Sequence, residues 1–200
     1  MKRKLFYIGP IAITLLFLGG QLYLWQTRGA APGQKIRTVM TSFPTFEERC
    51  ADASGQIQPC RQLEGLQAGD LLVTASAHTL FFRHGHIGVV VDAKEGLVLE
   101  ALGLGQHAVF RDLGKWNDYP TLQILRPLLP VGDNFKKEAL NLKGLPYFPF
   151  ARRHSQNRVH CATLIWQLFY SLDVDLIGDQ WVLPLNFSNS EHLKVIYSSW

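Results

Sequence analysis

Acidic residues are missing from the first 28 positions, which carry Lys2, Arg3, Lys4 and Arg28 instead. Between those charges residues 5–26 are almost wholly apolar, about the ~20 residues that a membrane-spanning helix needs. The basic leading end predicts a cytoplasmic N-terminus and an exported remainder. A cleaved secretory signal ending at Gly29-Ala30-Ala31 is the alternative, although the run exceeds the ~7–15-residue core usual in such signals. No cysteine stands near the end of the run, which argues against a bacterial lipoprotein.

A basic excess is also lacking once this segment is set aside. The chain holds 20 Lys+Arg against 16 Asp+Glu, and four of the basic residues fall in the first 28, so the exported part is neutral. Nucleic-acid binding needs a basic face that neutralises phosphates, and no partner of that kind is expected. Repeats and low-complexity tracts are missing too. The 200 residues therefore divide into a membrane segment (1–28), a linker and juxtamembrane stretch (29–65) and one catalytic-sized domain (66–200).

Cysteine is scarce, and its count of three is odd. Cys50 and Cys60 lie close together in a polar segment and are candidates for a disulfide in an oxidising compartment, with three free thiols as the alternative. If they pair, Cys161 is left over. It sits where the basic loop Arg158-Val159-His160 turns into an apolar stretch with Leu164, Ile165, Leu168, Phe169 and Leu172 at helical spacing. The first turn of a helix is where backbone N–H groups favour a thiolate.

What is present elsewhere predicts an α+β domain. Strands are expected at 71–74, 87–91, 97–101 and 121–126, the middle pair forming a hairpin across the polar turn at 92–96. Helices are expected at 43–51, 134–142, 161–172 and 191–197, the last capped from Ser188-Asn189-Ser190-Glu191. A nucleophilic cysteine needs a base, and the base needs a polar group to orient it. His86 and Glu100 stand on the two hairpin strands. Pairing Ala93 with Leu97 places them four residues apart along the ladder, about 13 Å at ~3.3 Å per residue, so contact requires a bulge or another turn. Gln106, His107 and Asp112 are substitutes for the orienting role. His84 and His86, with His107 or a carboxylate, form a weaker candidate metal set.

Five short motifs occur in one order. They are Leu66-Gln67-Ala68-Gly69-Asp70-Leu71-Leu72, Gly85-His86-Ile87-Gly88-Val89-Val90, Val98-Leu99-Glu100-Ala101, Gly144-Leu145-Pro146-Tyr147 and His160-Cys161-Ala162-Thr163-Leu164-Ile165-Trp166. Together they resemble the YiiX/YebB-like cysteine hydrolases, circularly permuted relatives of the NlpC-type peptidoglycan peptidases and, more distantly, of lecithin:retinol acyltransferase.

The resemblance implies a permuted papain-like fold with Cys161 as nucleophile, His86 as base and then acid, and Glu100 orienting His86. It places Tyr147 near the nucleophile as a site-forming or oxyanion-hole residue, with no cofactor and no metal. Phe148 and Gly85 depart from an aspartate and a serine common in that family, which bears on substrate class. Arg152, Arg153 and Arg158 are candidates to bind a substrate carboxylate. Apolar runs at 79–82 and 147–150 are candidates to line a groove for acyl chains. The expected protein is a single-pass bacterial inner-membrane hydrolase facing the periplasm, acting on cell-wall peptides or on lipids; a non-catalytic envelope-binding or scaffold domain is the alternative class.

Overall fold

The computed structural model describes residues 34–79, 82–178 and 181–199. The apolar segment at 5–26 lies outside the described residues, among which no helix is long and apolar enough to cross a membrane.

Among the described residues ten strands form two antiparallel sheets, with two α-helices and two 3-10 turns, an α+β architecture. The larger sheet has the order β10 (Leu193–Ser198), β9 (Gln123–Pro127), β3 (Leu71–Thr74), β6 (His86–Asp92), β7 (Leu97–Ala101), β8 (Ala108–Asp112). The smaller runs β1 (Lys35–Ser42), β2 (Thr45–Ala51), β4 (Ala77–Thr79), β5 (Phe82–Arg83). Helix α1 spans Phe135–Leu142 and α2 spans Cys161–Tyr170.

The central strands are apolar on both faces, and their alternation sorts residues into two cores. Leu71, Val73, Ile87, Val89 and Leu99 pack with Leu164, Ile165 and Leu168 of α2. Leu72, Val90 and Val98 pack on the other face with Trp116, Tyr119 and Leu122. Helix α2 is apolar nearly all round, and eight of its ten residues are buried. That demands cover on several sides, which the sheet, α1 and the segment through Ile177 and Phe187 provide.

Three expectations are corrected. The helix predicted at 43–51 is strand β2, because Thr45–Ala51 pairs with β1 on one side and β4 on the other. Its buried Glu47 and Glu48 meet Arg49 and Arg83, and Cys50 is bonded to Cys60. Residues 35–51 of the stretch expected to be juxtamembrane thus form a hairpin that pairs with β4.

The helix predicted at 191–197 is strand β10. Its Val-Ile-Tyr run suits a pleated surface, and the open edge of β9 offers a ladder that a lone seven-residue helix cannot match. The third correction is the β6–β7 register. The turn is one residue longer than expected and the ladder shifts between Val90 and Asp92, so Glu100 pairs with Gly88 rather than Val90. A two-residue slip preserves the face and brings Glu100 toward His86.

Gly88 has a physical reason to lack a side chain. A Cβ there would lie 2.8 Å from Trp116 Cζ2 and 2.8 Å from Val98 Cγ1. Gly88→Ala is expected to lower unfolding stability by about 1–3 kcal/mol through overpacking, read as a shift of the urea midpoint at unchanged slope.

Candidate active site

His160 caps α2 from extended backbone. Its ring accepts from the Thr163 N–H at 3.5 Å, and the Thr163 hydroxyl accepts from the His160 N–H at 2.9 Å, a reciprocal box that sets where the helix begins. Cys161 is thereby the first helical residue. The Leu164 N–H bonds the His160 carbonyl at 2.9 Å. Among the described residues no hydrogen bond engages the N–H groups of Cys161 and Ala162, so two first-turn donors stay available beside the thiol.

His86 begins β6 and is 4 % exposed, while Glu100 is fully buried. The corrected register puts them on a diagonal of one sheet face, which their side chains span. His86 Nε2 meets Glu100 Oε2 at 2.9 Å. The ring's other nitrogen is left for Cys161, and the two groups shift each other's titration in opposite directions. The second oxygen of Glu100 accepts from Arg111 Nη1 at 3.0 Å. Trp116 stacks on the His86 ring, centroids 5.4 Å apart and planes 13° from parallel.

The electrostatics favour an ion pair. Burial opposes a charge on Cys161, but hydrogen bonding from His160 and His86 and the charge of the His86 imidazolium outweigh it and bring the thiol down to about 5. Burial likewise opposes the imidazolium, but the hydrogen bonds and charges of Cys161 and Glu100 raise His86 to about 10. Glu100 is held below its usual range, its burial outweighed by His86 and Arg111. Burial and the Cys161 charge push the Tyr147 phenol up, so it remains a proton donor.

A cleft of about 1230 Å³ opens over this site, with Cys161, Tyr147, His160 and Thr163 on its wall. Arg152 and Arg153 line it as well. Arg158 does not; its guanidinium lies 4.5 Å above the Phe148 ring. The three substitutes for the orienting role are used elsewhere. Gln106 donates to the Thr41 carbonyl, His107 bridges to Pro146 through backbone, and Asp112 caps the 3-10 turn Leu113–Asp118.

The His84 ring engages the Thr79 hydroxyl and the Gly85 carbonyl, and no cluster of three metal-binding side chains occurs among the described residues. Gly85 has φ +69°, and a Cβ there would sit 2.9 Å from the Thr74 carbonyl oxygen, so this backbone rejects the serine that the resemblance leads one to expect.

Sequence reasoning missed Arg111 and Trp116. Arg111 has a readable signal, since β8 pairs Val109 with Glu100 and period-two alternation then puts Arg111 on the same face. Trp116 carries none, because a 3-10 turn after a strand has no periodicity that marks its buried residue. Searched against family models, the chain matches none, and no curated protein matches it.

Cys161 is expected to react with iodoacetamide as a thiolate at acid pH. Its depressed pKa means the rate rises through pH about 5 and is already on its plateau at neutral pH. His86→Ala removes the imidazolium partner and should move that rise toward the free-thiol value of ~8.5. A wild-type inflection at or above that value would refute the ion pair.

Proposed function

We propose that this chain is a membrane-anchored, extracytoplasmic cysteine hydrolase of the permuted papain-like type that the sequence resembles, cleaving an amide bond of cell-wall peptides. The observation that carries the reading is the buried series Arg111–Glu100–His86–Cys161, which ends in a thiol at a helix start inside a large cleft. No cofactor is needed for this chemistry.

The thiolate of Cys161 attacks the carbonyl carbon and forms the C–S bond, while the oxyanion is received by the N–H groups of Cys161 and Ala162 and by the Tyr147 hydroxyl. His86 gives its proton to the departing nitrogen as the C–N bond breaks. Now neutral, His86 takes a proton from water, whose oxygen displaces the thiolate and releases the acid. Glu100 keeps the ring in place throughout and stabilises the imidazolium at both ends of the cycle. Arg152 and Arg153 suit a substrate carboxylate, as peptide stems of the wall carry.

A second reading keeps the chemistry and changes the substrate to a lipid ester or lipidated amide. It is favoured by the large apolar side chains left exposed along the cleft, Phe150 and Trp181 at 74 % each with Leu104 and Leu183 beside them.

Full-length protein in detergent, incubated separately with purified peptidoglycan and phospholipid vesicles, tests both. New peptide termini are expected from the first, with Cys161→Ala slower by roughly 10³-fold or more. Released fatty acid without new peptide termini would move the assignment to the second reading. Products formed equally by Cys161→Ala would refute the nucleophile, and no product from either substrate, with slow alkylation of Cys161, would favour a binding domain.

A further inference from the structure

Trp116 is fully buried and does not touch the cleft, yet it covers one face of the His86 ring and fills the space over Gly88. Its backbone is the short turn Leu113–Asp118, too short to be rigid by itself. What fixes it comes from another part of the chain. The Cys60 N–H donates to the Asn117 carbonyl at 2.8 Å, the Leu63 N–H donates to Asn117 Oδ1 at 2.9 Å, and Arg61 Nη2 donates to the Pro120 carbonyl at 2.7 Å.

From the other side Arg49 donates to the Lys115 carbonyl and stacks 3.7 Å over Tyr119, which itself contacts Trp116. Arg49 and Arg61 each neighbour a cysteine of one disulfide, Cys50–Cys60. The bond thus ties together the two segments that grip the turn. Cys50 is buried in β2, whereas Cys60 is partly exposed.

Resting on the hydrolase reading above, we infer that Trp116 is a positioning residue for His86, and that the Cys50–Cys60 disulfide is the clasp that holds it, so that hydrolysis requires this bond oxidised while Cys161 stays reduced. Thiol reductants, which ordinarily protect a cysteine nucleophile, then switch this protein off. A dithiol opens the clasp by thiol–disulfide exchange. The dithiol closes to its own disulfide, and its two electrons and two protons convert Cys50–Cys60 into two thiols. Freed on one side, the turn lets Trp116 leave the ring, and the imidazole loses the fixed line between Glu100 and Cys161. The charged and titratable groups around that line are Glu100 and Arg111 from the sheet, with Tyr119 and Glu47 next to them, and His160, Tyr147 and Cys161 from the helix side.

The test is the pH dependence of Cys161 alkylation in the full-length protein in detergent, followed by mass spectrometry of the Cys161 peptide, before and after titration with dithiothreitol. Reduction is expected to move the inflection upward by about one pH unit or more. Trp116→Ala should do the same with the disulfide intact, and Trp116→Phe, which keeps an aromatic face, should recover most of the shift. Circular dichroism separates these effects from unfolding. Should the reduced protein unfold, the two Trp116 variants decide the positioning role, and the unfolding itself overturns the clasp as a switch confined to the site. An inflection unmoved in Trp116→Ala overturns the positioning role, and one unmoved by full reduction overturns the clasp. If the oxidised wild-type protein shows no acid-side inflection at all, the hydrolase reading fails first and takes this inference with it.

Discussion

A carboxylate with no exposure to water sits between an imidazole and a guanidinium, and the rest of the site follows from satisfying it. Glu100 meets His86 at 2.9 Å and Arg111 at 3.0 Å. An unpaired buried charge costs several kcal/mol, so both partners have to be delivered to it together. One comes from the strand before Glu100 and one from the strand after. The ladder must therefore be in register on both sides, since a one-residue slip on either side sends that partner to the other sheet face. The shift between Val90 and Asp92 and the bare backbone of Gly88 are the local devices that make this register possible.

This constraint also explains which parts of the molecule were legible in the sequence. The start of the helix at Cys161 was readable, because a change from polar loop to apolar periodicity is a local signal, and the hairpin strands were readable for the same reason. The register was not, because it combines a turn one residue longer than expected with a shift between Val90 and Asp92 that no local pattern marks. Strands β2 and β10 were misread as helices where charged or capping residues mimic helix composition. Partners far along the chain overrode that composition: β4 and the disulfide for β2, the open edge of β9 for β10. Arg111 and Trp116 went unseen because their roles exist only after the sheet has assembled.

The thiol depends on the same chain of charges from its other end. Buried sulfur on an apolar helix is ordinarily inert, and burial does oppose the thiolate here. The balance is reversed by His160 and His86 acting from opposite directions, one placed by the helix cap and one by the sheet. Cap and register are independent features of the fold, and their coincidence at one sulfur separates this cysteine from a core residue. Positive and negative charges then alternate from Arg111 through Glu100 and His86 to Cys161, so each ion lowers the cost of burying the next.

Only the far end of that series reaches the cleft. Cys161 and Tyr147 are on the wall, whereas His86 and Glu100 are not among the residues that line it. The thiol and Tyr147 thus face the cleft, while the fully buried Glu100 holds the imidazole through the nitrogen that Cys161 does not use. The cleft walls come from loops around 44, 104, 150 and 182, none of which contributes to the charge series. Changes in those loops can alter what is bound without disturbing how the thiol is activated. Phe148 reaches this wall only through Phe150, which it meets edge-on with centroids 5.9 Å apart. Gly85 brings the chain so close to the Thr74 carbonyl that a Cβ would sit 2.9 Å from its oxygen, which sets the path by which β6 delivers His86.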